Sequence, residues 1–176
     1  MLSKRFLSQS RGFSLTELLV AIAILGILTA IAMPSFQVWI QNSQIKNAAE
    51  SIQNGLQHAR AEAVARNANV EFVLDVNSAW TVHLVGSLVN IDSRAYTEGS
   101  SNVIRTTTPA TATTVTFNSL GGITANNDAS ASLNQVELTS VTLPAPATRP
   151  LRVTVGVGGN IRMCDPNAVV GSLQAC

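Results

Sequence analysis

Few residues in this chain are equipped for chemistry, and they lie far apart. Cys164 and Cys176 are the only thiols, His58 and His83 the only imidazoles, and Glu17 the only charged residue between Arg11 and Lys46. Two thiols without a nearby His or further Cys make a poor metal site. A nucleophile elbow, a P-loop and a run of metal ligands are all missing, and no His stands beside a Ser or Cys in a catalytic motif. The expectation is a protein that is not an enzyme and carries no metal or cofactor. What remains is the Gly12-Phe13 bond together with Glu17. If that bond is cut, Phe13 carries a new ammonium, and Glu17 becomes a counter-charge for that amine or a neighbour's.

The segment that must position this pair is Phe13 to Met33. As a helix it spans about 31 Å at roughly 1.5 Å per residue, close to the apolar thickness of a bilayer. Lys4, Arg5 and Arg11 precede it with no acid among them, which holds the N-terminus in the cytoplasm and sends everything after Pro34 outward. A carboxylate near the end of such a helix costs on the order of a few kcal/mol unless paired or snorkelled. Ser14-Leu15-Thr16-Glu17 also fits the S-x-x-E capping box, where Glu17 satisfies a backbone donor, and the residues alone favour that cap. Ala30-Ile31-Ala32 is similar to an ordinary signal-peptidase site that would release a soluble chain from Met33. Glu17 at the front of the apolar run and Pro34 just past that cut argue against it.

Arg11-Gly12-Phe13-Ser14-Leu15-Thr16-Glu17-Leu18-Leu19-Val20, with its basic leader and apolar run, resembles the class III signal segment of type IV pilins and type II secretion pseudopilins. The resemblance implies cleavage after Gly12 by a prepilin peptidase, N-methylation of Phe13, and filament docking through Phe13 and Glu17. Pro34 falls where such proteins carry a helix-kinking proline. Residues 1–12 are then a leader, 13–66 a long helix whose part 13–33 crosses the membrane, and 67–176 a head.

Removing the leader takes away Lys4, Arg5 and Arg11 and leaves eight basic against ten acidic residues, so the mature chain has no global attraction for nucleic acid. Beyond Pro34 the apolar residues Ile45, Ala48, Ala49, Ile52, Leu56, Ala59 and Ala63 recur at helical spacing, a single Ala-rich stripe expected to pack on the protein's own sheet, with a partner helix as the alternative. After Asn69 the period drops to two. Val70 to Val76 and Trp80 to Val85 read as a hairpin turned at Asn77-Ser78, with Trp80 and His83 in surface or cross-strand roles. Gly86 to Arg105 reads as a polar stretch with Val103-Ile104-Arg105 as a short strand, and Thr106 to Thr114 as a loop. Val115 to Asn118 is the next strand, closed by the turn Ser119 to Ile123. A polar loop over Asn126 to Asn134, strands over Val136 to Leu143 and Leu151 to Val157, a turn at Gly158-Gly159-Asn160 and a return through Ile161-Arg162-Met163 complete the head.

The strand at Val115 and its Gly turn resemble the part of the head that marks the GspH/FimT/FimU group of minor pilins and pseudopilins. Cys164 and Cys176 lie on the exported side, where a disulfide is the expected state, and many type IV pilins likewise close a C-terminal loop. The fold expected is α+β and pilin-like: a long N-terminal helix, its first half membrane-spanning, packed on a β-rich antiparallel head. The function implied is a minor pilin that initiates or caps a type IV pilus. Its partners are other major and minor pilins, the inner-membrane assembly machinery, the prepilin peptidase and the membrane. It would lie across the bacterial inner membrane with its head in the periplasm, then in a filament at or near the tip. A type II secretion pseudopilin shares every one of these motifs. Some members of the FimT branch bind DNA through a Gly-Arg-x-Arg motif. Here Gly159-Asn160-Ile161-Arg162 lacks one arginine, which leaves Arg149, Arg152 and Arg162 for weak DNA contact.

Overall fold

The computed structural model describes residues 13–87 and 89–176, so the expected leader and its Gly12 lie outside the described residues. Helix α1 (Leu15–Arg66) opens on Ser14, whose carbonyl accepts from the Leu18 N–H, and closes at Asn67, where φ is 51° and the chain leaves the helix in the left-handed conformation. Pro34 lies inside α1. The chain divides within this helix into two compact units, one ending at Gln37 and one running from Val38 to Cys176.

In the first unit the large apolar side chains of the Phe13 to Met33 segment are all exposed, Leu18, Leu25 and Ile31 among them. This part of α1 is long and apolar enough to cross a membrane.

In the second unit the Ala-rich stripe buries as its spacing predicts: Ile45, Ala48, Ala49, Ile52, Leu56, Ala59 and Ala63 are all closed to solvent. They join one core with two antiparallel sheets. The first sheet contains β1 (Val70–Leu74), β2 (Trp80–Leu84), β3 (Asn90–Arg94), β5 (Thr114–Phe117) and β6 (Ile123–Thr124), in the order β3-β2-β1-β5-β6. The second contains β4 (Val103–Thr108), β7 (Gln135–Ser140), β8 (Leu151–Val155) and β9 (Ile161–Cys164), in the order β4-β7-β8-β9. Phe72, Val82, Val115 and Phe117 come from the first sheet to this core, and Val103, Val136, Leu138 and Val153 from the second.

Several expected boundaries move. β3 forms inside the stretch read as polar, and β4 starts at Val103 as expected but runs on through Thr108 where a loop was expected from Thr106. Both consist largely of polar residues, so neither carries the apolar alternation that marks a strand. β-branched Thr nevertheless fits a pleated edge, and Thr107 is turned inward. β7 stops at Ser140 and β8 at Val155, leaving Val157 exposed in the turn that follows.

Trp80 keeps the cross-strand role expected of it but not a surface one. It is a core residue: its ring stacks on Phe72 at 5.8 Å between centroids, and its indole N–H donates to Ser51 Oγ at 2.8 Å. Helix α1 admits the ring because position 55 is glycine. A Cβ there would stand 2.9 Å from atoms of both aromatic rings.

Candidate functional site

At the start of α1 the Glu17 N–H donates to Ser14 Oγ at 3.2 Å, one arm of the capping box. The other arm is not made. Ser14 Oγ instead lies 3.0 Å from Thr16 Oγ1, and the exposed Glu17 carboxylate makes no hydrogen bond or ion pair among the described residues. Phe13 is 85% exposed, one residue short of the cap. Glu17 and Phe13 thus stand one turn apart on an uncovered apolar rod.

At the other end of the chain Cys164 and Cys176 form a disulfide, and β9 lies against β8 just before it. The enclosed loop folds back on itself. The Asp165 N–H donates to the Gln174 carbonyl at 2.7 Å, and the Arg162 guanidinium donates to the Ala175 carbonyl at 2.9 Å. Arg162 therefore has a local role the sequence did not reveal. Arg152, paired across the sheet with Glu137, donates to its Oε2 at 2.6 Å. The backbone N–H of Arg149 donates to Asn42 on α1, which fixes the connector after β7, while its side chain is exposed. The three arginines singled out for DNA thus fall on one connector and two strands, two of them already serving acids or carbonyls of the head.

Polar organisation elsewhere is structural. On the face of the first sheet opposite Phe72, Glu71 faces His83 on β2 and Thr116 on β5. Its carboxylate lies 3.2 Å from His83 Nε2 and accepts from Thr116 Oγ1 and the Asn127 N–H, so a buried acid ties two strands to the loop after β6. This confirms the cross-strand reading of His83. His58 bridges α1 to β3, with Nδ1 3.1 Å from Asp92 Oδ2 and Nε2 3.4 Å from Glu62 Oε1. Its hydrogen bond from Arg66 holds the Glu62 carboxyl below the ordinary glutamate range, with the Arg66 and His58 charges acting the same way. Among the described residues no group of three His, Cys, Asp or Glu side chains is placed to hold a metal ion.

The turn that follows β5 has a mechanical partner. Gly159, at φ 74°, is pressed so closely on the Gly121 carbonyl that a Cβ there would overlap it, and Arg60 on α1 donates to the same carbonyl at 2.9 Å. Helix and both sheets meet at this one oxygen. The glycine-rich pattern hinted at turns but not at their contact, since the residues are far apart in sequence.

Comparison with known proteins bears on both ends of the chain. Residues 7–33 match the family described as the prokaryotic N-terminal methylation motif, and residues 48–159 match the family described as type II transport protein GspH. A fimbrial protein of Moraxella nonliquefaciens is 45% identical over 42 residues, 24% of this chain and 27% of that protein. Fimbrial protein EcpC of Eikenella corrodens is 50% identical over 38 residues, 22% of this chain and 25% of that protein. The chain thus matches about a quarter of the length of these relatives. The crystal structure of the Pseudomonas aeruginosa type IV minor pilin FimU superposes with a TM-score of 0.50, covering 70% of this chain and 93% of that one at 16% identity, a likeness of fold alone. The long apolar helix set on antiparallel sheets is the fold of that group, and its members are structural subunits that assemble with other pilins. By its methylation motif and by a GspH match over more than half its length, the chain belongs to the GspH family of type IV minor pilins and pseudopilins.

Proposed function

We propose that this protein is a minor subunit that starts or caps a type IV pilus filament, after cleavage between Gly12 and Phe13 and methylation of the Phe13 amine. The observation that carries this reading is the state of Glu17. A carboxylate on an apolar, uncovered helix, with its capping arm unmade, is costly in a bilayer and relieved by a partner amine. A neighbouring subunit's Phe13 ammonium supplies that partner. Burial of Phe13 to Met33 among like helices then supplies most of the cohesion, and the ion pair fixes axial register. Before assembly the chain lies in the inner membrane with its head in the periplasm, where the prepilin peptidase and assembly machinery meet it.

Two measurements test this. Intact mass of the membrane-extracted protein should give a chain beginning at methylated Phe13; a terminus at Met33 would defeat the reading. The amount of the subunit in sheared filaments, normalised to its membrane pool, should fall for Glu17→Gln while cleavage and folding persist. Equal incorporation would return Glu17 to a capping role, because Gln also fills that position of the box.

A further inference from the structure

Each of the two sheets ends in two edge strands, and three of the four are closed. β6 is two residues long, and its Ile123 N–H is taken by the Val157 carbonyl. β9 runs into the disulfide loop, which folds over it through Arg162. β3 is bulged against β2, and its Asp92 is held by His58. Short, bulged and covered edges are the usual means of preventing strand addition. β4 has none of these. It pairs with β7 over six residues without a break, and its sequence between Val103 and Thr108 contains no Pro or Lys.

Which groups β4 presents outward follows from its register. The Val141 N–H donates to the Asn102 carbonyl, making these a hydrogen-bonded pair. In an antiparallel ladder such pairs alternate, so Ile104 and Thr106 turn their backbone groups to β7, and Arg105 and Thr107 turn theirs to the free side. Among the described residues nothing outside the ladder bonds those outward N–H and C=O groups. Beside them lies a cleft of about 570 Å³, walled across from β4 by Val76 and Asn77 of the β1–β2 turn and by Ala110, Thr111 and Thr113. A strand needs only the spacing of about 4.8 Å to a neighbour to occupy such a space.

The Arg105 side chain shares the inward face of β4 with buried Val103 and Thr107, and is itself half-buried. No carboxylate among the described residues is within ion-pair distance of it. Burial lowers the guanidinium pKa from its ordinary value, and the charge of Asp75 only opposes that shift. A desolvated cation without a direct partner favours an incoming carboxylate. On an added strand the residue opposite Arg105 projects to the same face, so a single acid at that position meets it.

We propose that the free edge of β4 is a recognition site for an extended acidic peptide segment of another protein subunit, which adds as a fifth strand to the second sheet and sets a carboxylate against Arg105. Only the identification of the donor as a filament subunit rests on the assembly reading above. The site itself stands on the edge geometry and is tested without filaments.

The probe is a fluorescein-labelled, end-blocked heptapeptide of alternating Thr and Val with Asp at its centre, and its Asn-centred counterpart, titrated by anisotropy against the full chain in detergent micelles. The Asp peptide should bind about tenfold more tightly than the Asn peptide, the usual scale of a charge-assisted pair. Arg105→Gln should erase that difference. Thr107→Pro, which removes an outward donor and leaves the β7 ladder intact, should weaken both peptides. Circular dichroism melts check that the variants fold; should Thr107→Pro not fold, Arg105→Gln with the two peptides decides. Equal affinities, no saturable binding of either peptide, or binding indifferent to Arg105→Gln would overturn the proposal. Displacement of the Asp peptide by inorganic phosphate at equal concentration would assign the cleft to a small anion and overturn strand addition.

Discussion

Arg152 stands directly across from Glu137, and Arg162 is bound to carbonyls of the disulfide loop, so at the scale of single residues the charges nearest a DNA-binding motif are already committed. Freeing either one for a phosphate breaks an interaction of the head. With Asn160 where an arginine would stand, and with acids outnumbering bases once the proposed cleavage removes the leader, phosphate contact is reduced to Arg149 and whatever the others can share. A gel-shift titration of the head, Val38 to Cys176, should therefore show no submicromolar affinity for duplex DNA at physiological salt. Tight binding abolished by Arg162→Ala would move DNA uptake ahead of filament assembly as the protein's role.

At the scale of elements, the α1 stripe and the β1–β2 hairpin were legible because each repeats one period over many residues: Ile45 to Ala63 at helical spacing, Val70 to Leu74 at two. β3 was not, and β4 only over its first residues, Val103 to Arg105, because a polar edge strand needs only one covered face and shows little alternation to read. Trp80 was read across the strands but not as core, for a different reason. Its burial depends on Gly55, which only the approach of helix to sheet reveals. That contact carries a prediction: Gly55→Ala should destabilise the head by about 1–3 kcal/mol despite alanine's better helix propensity, since the added methyl meets two aromatic rings and the rigid core cannot yield cheaply. Denaturant unfolding followed by Trp fluorescence measures it. An unchanged midpoint would mean that the rings move aside.

Across the whole molecule, the N-terminal methylation motif and the two cysteines were readable in order along the chain, whereas the meeting of Arg60, Gly121 and Gly159 was not, because it joins a helix and two turns from distant parts of the sequence. The Cys164–Cys176 bridge closes a loop of separation 12, and by chain entropy Cys164→Ser should cost about 2–3 kcal/mol. The same unfolding measurement applies, and native protein should show no thiol reactive to alkylation. The helix adds a consequence of another kind. A subunit that works in a filament, as proposed above, is pulled, and tension arriving along α1 reaches the head through Ile45 to Ala63, a stripe about 27 Å long at the helical rise and set against the core from end to end. A force along that axis loads the contacts in shear, all at once, and does not peel them one after another. Rupture must then wait for the whole seam to slip, so the head should resist axial pulling far longer than its equilibrium stability alone suggests, in the regime where lifetime follows the unfolding rate.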